Sequence, residues 1–329
     1  MREGEIMRLR GIDFGHVLDA SGVRGFFGEG YPHHRPLRPI GLDFTGATFV
    51  AKTTTLCARA GNMPLRTDLA PREFKPKCIV VKLLDGVVLN AVGLSGPGAE
   101  ALLTDGRWQQ RTSPFFLSFM SVAPNEEERR GELKAFVRLL RRYLTGFHAP
   151  IGLQLNFSCP NVGVQADHLI QEITTALDAA STLGIPLMPK LAVTMPLEVA
   201  LKVAHHPACD ALCLPNAVSW GALPNRINWK KLFGSATSPL AKFGGGGLSG
   251  APLLPLVCDW VTNARAAGLT CPLNAGGGIL APDDAETLFD AGADSVFIGS
   301  MAILRPWRVR ATIRHAKVVG ERREFCRGP

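Results

Sequence analysis

The sequence predicts an α/β protein folded as a single-domain (β/α)8 (TIM) barrel. Three observations carry that prediction. Short apolar runs alternate with helical patterns from end to end. The 329 residues, 46% of them hydrophobic, can bury one large core, and no linker divides them into two domains. Polar residues recur at the C-terminal ends of the apolar runs, where a barrel carries its chemistry.

The strand candidates are 48–54, 87–93, 115–122, 151–158, 187–193, 211–218, 272–277 and 294–300. Helical patterns lie near 97–106, 125–146, 166–184, 196–206, 251–268, 282–291 and 306–319. In the second of these, Leu133, Phe136, Val137, Leu140 and Leu144 recur at helical spacing with arginines between, which predicts an amphipathic helix with a solvated basic face. The glycine- and proline-rich stretch 1–47 is expected to cap the barrel, and 306–329 to form a last helix and tail.

The bulk properties exclude several classes. No apolar run approaches the roughly 18–20 residues that span a bilayer, and the N-terminus lacks the continuous apolar stretch of a secretory signal. A cytoplasmic protein is expected. The eight cysteines form no CxxC pair, so neither a metal centre nor a disulfide framework is expected. The net charge of +8 suits an acidic small substrate, and a nucleic-acid partner is not expected.

The hexapeptide NFSCPN at 156–161 is the sharpest chemical signal. It places Cys159 between Asn156 and Asn161 in a turn stiffened by Pro160. The asparagines offer amide donors and carbonyl acceptors to a planar polar ring, and the thiol can transfer a proton. In the expected barrel Lys52 follows the first strand and Asn90 closes the second. Asn156 and Cys159 end the fourth, Lys190 lies in the fifth and Asn216 in the sixth. Unpartnered polar groups inside apolar strands are costly, so packing alone does not explain the set.

Three glycine-rich turns follow: GGGGLSG at 244–250, NAGGGI at 274–279 and GADSVFIGS at 292–300. Glycine lets the backbone turn with positive φ and bring bare N–H groups close to an anion. Two such turns after the last two strands predict a phosphate-bearing cofactor.

Taken in order, LDASG (18–22), AKTTT (51–55), GNMPLR (61–66), NAVGLSGPG (90–98), LNFSCPN (155–161), PKLAV (189–193), GGGGLSG (244–250), AGGGI (275–279) and IGS (298–300) resemble the dihydroorotate dehydrogenases, FMN-containing (β/α)8 enzymes of pyrimidine synthesis. The likeness runs from about residue 17 to 307. Cysteine at 159 looks like the class 1 branch. By that resemblance Cys159 takes a proton from C5 of dihydroorotate while C6 gives hydride to flavin N5. The resemblance also implies roles for the other residues. Lys52, Asn90, Gly93, Leu94, Asn156, Asn161 and Asn216 would bind substrate. Ala20, Ser21, Gly22, Lys52, Asn156, Lys190, Gly247, Gly277, Gly278, Gly299 and Ser300 would bind FMN. The electron acceptor would be fumarate or an electron-transfer partner subunit, and the expected assembly is a homodimer.

Two features depart from the family pattern. Ala217 follows Asn216 where the family has serine or threonine, which removes a hydroxyl expected to bond the substrate. The segment 215–229 carries two tryptophans that could reshape the pocket lid. The rival readings are an FMN barrel acting on another ring, of the dihydropyrimidine or tRNA-dihydrouridine type, and, more remotely, a non-catalytic barrel that binds a phosphorylated ligand.

Overall fold

The computed structural model describes residues 7–157 and 166–327. A short antiparallel hairpin, β1 (Arg8–Leu9) and β2 (Ile12–Asp13), leads into β3 (Val17–Asp19). Next come β4 (Ile79–Lys82) and β5 (Val87–Asn90), then β6 (Phe115–Phe119), β7 (Ile151–Asn156), β8 (Leu187–Lys190) and β9 (Leu212–Leu214). The chain continues through β10 (Val218–Ser219), β11 (Gly247–Gly250), β12 (Leu273–Gly276) and β13 (Ser295–Ile298).

Seven of these strands form one parallel sheet in the order β3-β13-β12-β9-β8-β7-β6. The segment 48–54 joins its two edges through parallel bridges, Leu18 to Thr48 on one side and Val50 to Phe116 and Thr54 to Phe119 on the other. The sheet thereby closes into the expected barrel. Edge strands with free N–H and C=O groups are removed by this closure.

The barrel's membership differs from the sequence expectation at one place. The run at 87–93 is not its second strand. β5 belongs to a separate antiparallel sheet of order β10-β11-β5-β4 that lies over the strand ends. The first barrel strand is instead β3, so the segment before residue 48 supplies a strand as well as a cap, and Lys52 lies in the second barrel position. The confusion has a physical cause: β5 is buried from Val87 to Leu89 within the lid, and a fully buried run reads alike in parallel and antiparallel sheets.

The hairpin seals the barrel's foot. Met7, Leu9 and Phe14 are buried in one cluster with Phe116, Met188 and Ala211, residues at the N-terminal ends of their strands. Helices cover the outside at all seven expected places. Glu126–Arg141 starts on Asn125, whose side chain accepts from the Glu128 amide, and carries three glutamates in its first turn. Its buried face includes Phe136, stacked on Phe119 with centroids 4.0 Å apart, a burial contributing about 2 kcal/mol. Among the described residues no helix is long and apolar enough to cross a membrane.

The lid has its own apolar core. Trp220 lies 4.8 Å from Trp229 and 5.1 Å from Phe233 between ring centroids, and the Trp229 indole donates to the Ala222 carbonyl oxygen. Both tryptophans of the 215–229 segment therefore pack within the lid, against Val218 and Leu248, and neither lines the cavities described below.

Candidate active site

The C-terminal ends of the barrel strands and the underside of the lid enclose a cavity of about 260 Å³. Its floor is made by Ala20, Ser21, Thr53, Asn156 and Lys190, with Asn216 and Ala217 following β9, Gly277 and Gly278 following β12, and Gly299 and Ser300 following β13. Asn90 and Ser249 come down from the lid. Parallel register sets Asn156 opposite Lys190, and Lys190 opposite Cys213.

An adjoining cavity of about 450 Å³ shares Ala20, Ser21, Thr53, Asn90, Ser249, Gly299 and Ser300 with the first. Gly22, Lys52, Gly93 and Leu94 line this second space. Leu94 holds φ +58, a left-handed conformation rare for a leucine, beside Gly93 at +70. Gly247 lies in the lid strand and lines neither cavity; a Cβ there would come within 2.8 Å of the Ala217 Cβ. Cys159 and Asn161 lie outside the described residues.

The two buried lysines are held differently. The Lys52 ammonium donates to the Ser95 carbonyl oxygen and lies 4.6 Å from the Phe26 ring centroid; burial lowers its pKa to about 8. Burial also lowers that of Lys190, with Cys213 pulling it partly back, and its ammonium sits 5.3 Å from the Phe297 ring. The Cys213 thiol is in turn pushed up to about 11 by burial, so it remains protonated. Lys52 lines the larger cavity and Lys190 the smaller, and each, when protonated, favours negative charge in its own space.

Each amide has a hydrogen-bond anchor in the protein. Asn216 donates to the Phe157 carbonyl oxygen at 2.7 Å, tying the loop after β9 to the chain leaving β7. Asn90 reaches the Gly247 carbonyl oxygen at 3.4 Å. Asn156 Nδ2 faces Thr53 Oγ1 at 3.4 Å, while its Oδ1 is buried with no hydrogen-bond partner among the described residues. An orphaned buried oxygen is uncommon and fits an acceptor kept for a ligand.

The loop Ala20–Gly22 is fixed to the rim. Ala20 N–H donates to the Ile298 carbonyl oxygen, and the Tyr31 hydroxyl to that of Gly22 at 2.7 Å. Just before it, the buried Asp19 accepts from Arg24 Nε.

The glycine turns leave room only for bare backbone. Gly277 and Gly278 hold φ +87 and +84, and a Cβ on Gly278 would fall 2.4 Å from the Leu254 nitrogen. A Cβ on Gly299 would fall 2.7 Å from the Ala20 Cβ. A cradle of this kind, two buried ammonium groups and a free carbonyl acceptor fit a planar ring bearing an N–H and a phosphorylated tail, as FMN does.

The structure thus gathers most of the sequence's candidates around two connected cavities. It adds Thr53, Ser249 and Phe297, which the sequence reading passed over. Thr53 stood within the AKTTT motif, where a buried hydroxyl between apolar runs was the available signal.

Comparison with known proteins agrees with the geometry. No curated protein sequence matches the chain. The fold is similar to that of a dihydroorotate dehydrogenase from Eimeria tenella solved with ferulenol, at 18% identity and a TM-score of 0.63, over 98% of this chain and 84% of that one. The family profile described as "Dihydroorotate dehydrogenase" matches residues 21–316. The chain therefore belongs to the dihydroorotate dehydrogenase family, FMN-dependent oxidoreductases acting on CH–CH groups.

Proposed function

We propose that this protein oxidises (S)-dihydroorotate to orotate, in de novo pyrimidine synthesis in the cytoplasm, as a class 1-like enzyme with Cys159 as base. The supporting observation is the buried, unpartnered Oδ1 of Asn156 in a cavity that also holds Lys190 and the glycine cradle. Gly277, Gly278, Gly299 and Ser300 would hold the FMN phosphate, and Lys190 and Asn156 the ring. FMN, when bound, supplies the acceptor for the hydride that leaves C6.

The chain's own groups do the rest. Asn90, Asn156 and Asn216 orient the substrate ring from three sides, and the buried lysines favour its carboxylate. The lid covers part of this space, and the lower polarity beneath it strengthens each of these interactions. Cys159, three residues beyond Asn156, takes the proton from C5. A free thiol titrates near 8.5, so the rate should rise toward alkaline pH. Electrons leave to fumarate or to an electron-transfer subunit.

Ala217 favours a second reading. It lines the cavity with a methyl group where a hydroxyl would bond the substrate, which suits a ring related to, but other than, dihydroorotate. Anaerobic addition of dihydroorotate to the yellow protein separates the two: bleaching of the flavin supports the first reading, and an unchanged spectrum the second.

A further inference from the structure

Counting protons through the hydroxyls beside Asn156 fixes which way its amide points. The Ser21 hydroxyl donates to the Ala51 carbonyl oxygen at 2.8 Å. A hydroxyl has one proton, so Ser21 can only accept from Thr53, whose Oγ1 lies 2.9 Å away. Thr53 has then spent its own proton. Ser118 Oγ lies 2.9 Å from Thr53 Oγ1 and 3.4 Å from Gln154 Oε1; whichever of the two takes the Ser118 proton, Thr53 has none left for Asn156 and can meet its amide only as an acceptor. The amide therefore turns Nδ2 toward Thr53 and Oδ1 away from it. That oxygen is the buried one with no partner, on a residue that lines the cavity of the glycine cradle and Lys190. Thr53 itself is buried, so water does not compete for its lone pairs.

We propose that Thr53 is a positioning residue: a chain of hydroxyls anchored on the Ala51 carbonyl fixes the Asn156 amide with its oxygen facing the cavity, as acceptor for the ring N–H of the flavin. Oxidised flavin has a single ring N–H, so an oxygen presented to it has one donor to take, whereas a flipped amide would set two donors against each other. The inference rests on the FMN-dependent reading of the site but not on the identity of the substrate.

The test is fluorescence titration of the flavin-stripped protein with FMN and with 3-methyl-FMN, in which that N–H is blocked. Wild type should prefer FMN by about tenfold or more. T53V should bind FMN about tenfold more weakly and largely lose the preference, while T53S should restore both. S118A leaves the Thr53 proton on Ser21; in S21A that proton can pass to Ser118, which donates on to Gln154 Oε1, so only S21A combined with S118A frees it to reach Asn156 Oδ1. The S21A/S118A double variant should therefore lose the preference and S118A keep it, which preserves the test should T53V fail to fold. The proposal is overturned if T53V or the S21A/S118A double variant discriminates between the flavins as wild type does, or if S118A alone loses discrimination as fully as the double variant. Wild type that binds neither flavin would remove the underlying reading instead.

Discussion

The ammonium of Lys52 lies 4.6 Å from the centroid of the Phe26 ring and donates to the Ser95 carbonyl oxygen. Its aqueous contacts are replaced by one carbonyl and a ring face, and burial lowers its pKa from 10.5 to about 8. Between those values the unfolded chain binds more protons than the folded one, so the contribution of Lys52 to stability rises with pH across that window. The full displacement corresponds to about 3 kcal/mol. Urea unfolding of wild type and K52M at pH 7.5 and pH 10 should show the difference moving in favour of wild type at the higher pH. A difference independent of pH would contradict the buried-cation account.

Gly278 should be intolerant of any side chain. A Cβ there meets the Leu254 nitrogen at 2.4 Å, and the backbone is held at φ +84. G278A should cost about 2 kcal/mol or more and yield protein with little bound flavin. Gly268 has a similar φ of +91 but open space around it. G268A should cost about 1 kcal/mol and leave flavin content unchanged, as absorbance of the purified proteins would show.

Ala217 is the position at which substrate choice can be probed by adding rather than removing a group. It lines the cavity beside Asn216. With dihydroorotate as substrate, A217S should lower KM about fivefold, the scale of one added hydrogen bond. An unchanged or raised KM would speak for a different ring.

The lid should carry stability more than specificity. Trp229 packs on Trp220 and Phe233 and is only 8% exposed. W229A should cost about 3 kcal/mol, read as a lower denaturation midpoint. The ranking of alternative ring substrates should not change, because the indole does not line the cavity.

Regular periodicity made the outer shell readable in advance. Glu126–Arg141 announces itself through a capping asparagine, an acidic first turn and apolar residues at helical spacing. β3 escaped notice because three residues are too few to show a period, and its pairing with β13 joins opposite ends of the chain. The segment 48–54 was visible as an apolar run, although its closure of the barrel rests on isolated bridges that no local pattern encodes. Within the site, residue types were legible and their geometry was not. Asn90 was expected from a barrel strand and arrives from the lid. The partners that orient Asn156 come from residues 21, 53 and 118, a convergence only the fold creates.

The most direct measurement is an anaerobic stopped-flow titration of the flavin-loaded protein with dihydroorotate, following the oxidised-flavin absorbance across pH 6 to 9. Wild type should bleach, faster as the pH rises, and C159S should bleach at least a hundredfold more slowly. A yellow protein that stays oxidised with dihydroorotate at every pH would contradict the proposed reaction while leaving the flavin barrel in place.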